Sequence, residues 1–166
     1  RVPEGDHRPR HVCTGCGTVH YQNPKIVAGC VPEHEGRILL CRRAIEPRHG
    51  KWTLPAGYME NNETAPEGAA REAMEEANAR IDVEQLYTLF SVPHISQVYV
   101  LFRARLLDLD FSPGEESLEV KLVREDEIPW DELAFACVRR TLAHFFEDRR
   151  TGMYLPRFGE IRPPER

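Results

Sequence analysis

The succession of apolar runs in this chain predicts an α/β sandwich, with a mixed sheet lying between helices. Three observations carry that expectation. Short β-rich runs bounded by turn residues occur early in the chain and again in its second half. One strongly marked helix start stands between the two groups, and an amphipathic helix closes the series. Composition agrees with a compact domain, since 41% of the 166 residues are hydrophobic and 30% are charged. A net charge of -5 argues against a nucleic-acid partner, which asks for a basic face. No apolar run approaches membrane-spanning length and no signal-peptide core is present, so no membrane partner and a cytoplasmic location are expected. Arg1 stands where a complete chain would begin with Met, and further sequence upstream is expected.

The elements follow in order. Lys25 to Val31 and Arg37 to Arg42 read as strands, joined by the turn signal Pro32-Glu-His-Glu-Gly36. A short segment, Trp52-Thr-Leu-Pro-Ala-Gly57, leads to the helix. Thr64 followed three residues later by Glu67 is a capping box, which places the helix start near Ala65. Pro66 is tolerated there because first-turn amides have no intrahelical partner. Val83 to Val92, Gln97 to Leu106 and Leu118 to Val123 read as further strands. Val98, Val100 and Phe102 alternate with Tyr99, Leu101 and Arg103, which predicts a strand covered on both faces. The final helix is predicted over about 131–148, with Leu133, Cys137, Val138, Thr141, Leu142 and Phe145 on its apolar stripe. Three units are expected: residues 1–22, a main domain over 23–150, and a tail over 151–166.

The first helix carries Arg71, Glu72, Glu75 and Glu76 on one side. Like charges at i, i+4 destabilise a helix by a few tenths of a kcal/mol per pair, so a cation among them is the natural reason to keep them. Hard divalent ions take carboxylate oxygens, and Mg²⁺ binds substrate phosphates as well. An acidic solvated face is the plainer reading of such a cluster. The full spacing decides between them. Gly57, Glu63 and the run Arg71-Glu72-Ala-Met-Glu75-Glu76 resemble the signature of the Nudix hydrolases. Asn78 stands where that pattern has glycine, and Ala73 and Ala79 where larger aliphatics are common. Asparagine tolerates the left-handed backbone next best after glycine, so the helix stop should survive.

The resemblance covers about residues 24–148 and implies an α/β/α sandwich that hydrolyses pyrophosphate bonds with Mg²⁺ or Mn²⁺. It implies Glu72, Glu75 and Glu76 as the metal-ligand set, with the Gly57 carbonyl a further ligand. Arg71 would hold the carboxylates in place through its fork, and Glu63 would orient the site. A general base after the later strands is implied too. Glu119, alternating with Leu118 and Val120, is expected to project into the cleft as base or ligand, while Glu115 and Glu116 are expected in an exposed turn. Arg42, Arg43 and Lys51 flank the box and are candidates for phosphate contact. Tyr99, with Phe90 and Phe135, is a candidate for stacking a base.

Cys13-Thr-Gly-Cys16-Gly places two thiols two residues apart on a glycine turn, half of a tetrahedral zinc site. No second such pair lies downstream. The surrounding run is similar to the zinc ribbon that precedes some Nudix domains, so residues 1–22 are expected to be the second half of such a ribbon, with a structural Zn²⁺ if an upstream pair exists. His11 and His20 are spare ligand candidates, better read as surface histidines. Cys30, Cys41 and Cys137 sit in apolar surroundings and are expected to be buried and inert.

For the substrate, Thr53-Leu-Pro-Ala-Gly57-Tyr, Gln97-Val-Tyr99, Pro113 to Glu119 and Asp131 to Phe135 resemble the FAD and ADP-ribose pyrophosphatase branch. The expected partner is therefore a small nucleotide, cleaved to AMP plus FMN or ribose phosphate, by a homodimer. The zinc-ribbon NADH pyrophosphatases are the alternative, though Ser91-Val-Pro-His-Ile-Ser-Gln97 replaces their usual motif. A non-catalytic nucleotide sensor is the other alternative, and the intact glutamate cluster argues against it.

Overall fold

The computed structural model describes residues 1–163. A two-stranded antiparallel hairpin comes first, β1 (His11–Val12) with β2 (Val19–His20). The main sheet has eight strands: β3 (Lys25–His34), β4 (Arg37–Arg43), β5 (Trp52–Thr53), β6 (Ala56–Tyr58), β7 (Ile81–Val92), β8 (Gln97–Leu106), β9 (Ser117–Val123) and β10 (Arg157–Glu160). Its main path runs β10-β7-β8-β3-β4-β5, with β6 paired to β3 and β9 to β4. β3 runs parallel to β8 and β10 parallel to β7, while the other pairs are antiparallel, so the sheet is mixed as expected.

Each face of the sheet carries one helix. Helix α1 (Ala65–Ala77) lies over Cys30, Leu39, Cys41, Phe102, Ala104 and Leu106, meeting them with Ala69, Ala73 and Ala77. These small side chains, Ala73 among them where a larger aliphatic is usual, let the helix lie close to the strands. On the other face helix α2 (Ala136–Thr151) packs Val138, Leu142, Phe145 and Phe146 against Val31, Ile38, Leu40, Tyr87 and Leu101. β8 is covered on both faces, with Tyr99 and Leu101 in one core and Phe102 and Ala104 in the other. No helix among the described residues is long and apolar enough to cross a membrane.

Three elements differ from the sequence reading. β3 continues through Pro32 to His34, and the turn narrows to Glu35 and Gly36, both at positive φ, the two-residue geometry that suits a twisted hairpin. The last helix starts at Ala136 instead of near residue 131. Trp130–Glu132 form a single 3₁₀ turn after Pro129, and the next residues take strand-like contacts, with Leu133 bridging Trp52 and the Ala134 amide donating to the Trp52 carbonyl at 2.8 Å. The expected tail over 151–166 adds the edge strand β10, although its last three residues lie outside the described residues. Arg157 pairs with Asp148 near the end of α2, and the Tyr87 hydroxyl donates to the same carboxylate at 2.7 Å, which fixes the returning chain.

Candidate active site

The capping box sets where the glutamates fall. Thr64 caps α1 and accepts from the Glu67 amide, while the Glu67 carboxylate accepts from the Thr64 amide at 2.7 Å. From that start the helix turns Glu72 and Glu76 inward, 8% and 6% exposed, and leaves Glu75 outside. β6 runs beside them. A Cβ on Gly57 would lie 2.4 Å from the Glu72 carboxylate, so any larger residue there would push that carboxylate out of its place. The Ala56 amide donates to Glu76 at 3.4 Å.

Arg71 ties the cluster together. Its Nε and Nη2 grip both Glu63 oxygens at 3.0 and 2.8 Å, its Nη1 donates to Glu72 at 2.7 Å and Glu75 at 3.0 Å, and its Nη2 also reaches the Tyr58 carbonyl at 3.0 Å. A guanidinium has five N–H donors, and these contacts occupy all of them. Glu63 is fixed in return, with the Glu60 amide donating to it at 2.7 Å, and Arg71 holds its carboxyl down to about 2.

The two inner carboxylates behave differently. Burial, and then the charge of Glu72, pushes Glu76 up to about 8. Burial also raises Glu72, against the lowering pull of Arg71. The negative charge of Glu116 adds to the rise at both. Its segment is seated on α1, the Gly114 amide donating to the Glu76 carbonyl at 3.0 Å. Among the described residues no three Asp, Glu, His or Cys side chains converge as a closed cage, because Arg71 draws Glu72 and Glu75 to itself. The donor set still has the chemistry of a divalent-cation site. Hard oxygens are crowded where burial and mutual repulsion oppose ionisation, and a nearby cation is what would let both inner carboxylates ionise.

Residues 23–145 match the NUDIX domain family, and residues 1–22 match the Nudix N-terminal zinc-ribbon family. The chain belongs to the Nudix hydrolase family. A crystal structure of a Nudix hydrolase from Nitrosomonas europaea is 58% identical, with a TM-score of 0.93, over 97% of this chain and 92% of that one. A MutT-like protein of Streptomyces ambofaciens is 34% identical over 102 residues, 61% of this chain and 64% of that protein, so the match spans under two thirds of its length. An ADP-ribose pyrophosphatase of Methanocaldococcus jannaschii is 26% identical over 121 residues, 69% of each chain.

The remaining candidates of this Nudix hydrolase fall in several places. Glu119 lies in register with Arg42 on β9, on the face away from α1, and it pairs with Arg42 at 3.9 Å and Lys121 at 3.3 Å. Val120 and Leu122 of the same strand pack under α1, so the expected projection into the cleft is corrected, while Glu115 and Glu116 lie exposed in the turn before β9, as expected. The alternation in the sequence was sound, but nothing in it tells which face α1 covers. Arg42 also donates to the Gly50 carbonyl at 3.0 Å. Arg43 is buried, donates to the Pro47 carbonyl, lies 5.2 Å over the Phe135 ring and acts on Glu76. Lys51 is half-buried in the loop before β5.

Tyr99 is corrected as well. It is 8% exposed, in the α2-side core with its ring 6.3 Å from Phe135, so its face is filled by the protein. Phe90 is fully buried in the same core. An exposed ring next to the glycine is Tyr58, 47% exposed, steadied by the Gln97 amide on its hydroxyl at 2.7 Å and by Lys25 at 4.7 Å. It follows Gly57, and alternation along β6 turns it to the opposite side from Glu72. At the N-terminal hairpin the Gly17 amide donates to the Cys13 carbonyl, and hydrogen bonds from Thr18 and then Cys13 hold the Cys16 thiol below its usual range. His11 and His20 face each other across the strand pair. Cys30, Cys41 and Cys137 are buried and free, their thiols pushed up by burial.

Proposed function

We propose that this chain hydrolyses the pyrophosphate bond of a nucleoside diphosphate derivative, FAD or ADP-ribose, to AMP plus FMN or ribose phosphate. The observation that carries the proposal is the buried Glu72–Glu76 pair beside Gly57, with Arg71 spent on aligning carboxylates. The similarity to an ADP-ribose pyrophosphatase supports the substrate class. Mg²⁺ or Mn²⁺, held by Glu72, Glu75, Glu76 and the Gly57 carbonyl, would neutralise charge on the phosphate oxygens. Hydrolysis forms one P–O bond from water and breaks one bridging P–O bond. The Glu116 carboxylate takes the water proton, and the second phosphate leaves as an anion. Arg71 and Glu63 keep the glutamates in place throughout, and the exposed Tyr58 ring offers a face for the base. Cys13 and Cys16 supply two zinc ligands to the N-terminal segment, away from the reaction.

The test is product analysis across FAD, ADP-ribose, NADH and diadenosine polyphosphates, each with Mg²⁺ and with EDTA. AMP together with FMN or ribose phosphate, formed only with metal, is the expected result. Preference for NADH would shift the substrate assignment. Tight nucleotide binding without turnover on any of them would replace the hydrolase by a sensor.

A further inference from the structure

Helix α1 ends on Asn78, whose backbone is left-handed at φ 47, ψ 30. Glycine makes that turn with less strain, so the asparagine side chain has to be explained by what it touches. Its Nδ2 donates to the Ser112 carbonyl and hydroxyl, both at 3.1 Å, and to the Pro113 carbonyl at 3.3 Å. Main-chain bonds extend the same contact, from the Ser112 amide to the Ala77 carbonyl and from the Gly114 amide to the Glu76 carbonyl, each 3.0 Å. The two segments are so close that a Cβ on Gly114 would lie 1.7 Å from the Glu75 carbonyl oxygen. Two residues further, the Glu116 carbonyl accepts from the Ala44 amide at 2.8 Å. Segment 112–116 is thus clamped at one end to the glutamate turn of α1 and at the other to the end of β4.

We propose that Asn78 is a positioning residue for hydrolysis. Its amide seats segment 112–116 on the last turn of α1, the turn that carries Glu75 and Glu76, and so fixes the backbone from which Glu116 acts. This rests on the pyrophosphohydrolase reading above. The clamp acts through geometry: displacement of a reacting group by about 1 Å can cost up to 10²-fold in rate. Substrate binding by Tyr58 and the phosphate-facing groups is left unchanged.

Two substitutions isolate the amide. Asn78→Gly keeps the left-handed turn and removes the donor. Asn78→Asp keeps the size and presents a carboxylate to the same carbonyls. With the substrate that the wild type turns over, both should lower kcat about tenfold while KM shifts less than about twofold. Adding either to Glu116→Gln should cost nothing more than Glu116→Gln alone, since both act through one group. Amide hydrogen exchange at Ser112, Gly114 and Ser117 should speed up in Asn78→Gly, with β3 and β8 unaffected. Wild-type kcat in Asn78→Gly would overturn the proposal, as would losses that multiply with those of Glu116→Gln. A wild type without turnover overturns the hydrolase reading and the catalytic role with it. Exchange rates judge the clamp separately, and unchanged exchange in Asn78→Gly removes it.

Discussion

Glu76 is where a single side chain couples the site to the stability of the fold. Its carboxyl titrates near 4.5 when unfolded and is pushed up to about 8 in the folded protein, first by burial and then by Glu72. Between those values the native state holds the extra proton, so folding stability falls as pH rises from about 4.5 to about 8. The size is on the order of a few kcal/mol. Thermal melts without metal should therefore drop across that window. Glu76→Gln, which cannot ionise, should flatten the curve, and Mg²⁺ should recover the loss at the alkaline end. A metal-free wild type with no decline would show that the glutamate is not buried in this way. Two tyrosines give the second residue-scale prediction. Tyr58→Ala should raise KM with a smaller effect on kcat, the mark of binding that is equal in ground and transition states. Tyr99→Ala should instead cost about 3–4 kcal/mol of stability and leave KM alone. Kinetics and melting curves on both variants check the pair, and the reverse pattern would return Tyr99 to the site.

Helix α1 was legible almost to the residue because its boundary signals are local. Thr64 and Glu67 define the start, Asn78 the stop, and the 13 residues between follow. The start of α2 was not, since Phe135 caps it with backbone alone and the preceding residues are claimed by Trp52, a contact distant in sequence. β10 was missed for the same kind of reason: a four-residue strand has little pattern of its own, and its place depends on β7. What holds it is also distant, the Asp148 carboxylate shared by Tyr87 and Arg157. Asp148 is buried, so Asp148→Ala leaves the Tyr87 hydroxyl and the guanidinium without their acceptor. A loss of about 3 kcal/mol is expected, together with faster amide exchange along β10. Exchange in β10 equal to that of the wild type would mean that the edge strand is held by its ladder alone.

Across the whole molecule the sheet divides the work. On the face under α1 the helix presents Ala69, Ala73 and Ala77 to the sheet, which brings the glutamate helix close to it. The face under α2 holds the aromatic core. Gly57, Glu63, Arg71, Glu72, Glu75 and Glu76 were legible because they sit within one short, rigidly spaced stretch of sequence. Glu116 and Tyr58, which the proposed reading adds, were not, because the segment of one is seated on α1 and the other lies on a short strand paired with β3. Glu119 went astray at this scale: alternation placed it on one face of β9, and only the assembled sheet shows that α1 covers the other. The central claim is that the buried glutamates of α1 make this Nudix hydrolase a metal-dependent pyrophosphohydrolase. Its most direct test is the turnover of Glu76→Gln beside the wild type, at saturating Mg²⁺, on the substrate the wild type cleaves. The account predicts a fall of about 10² or more in kcat with circular dichroism unchanged. Near-normal turnover by the variant would contradict it.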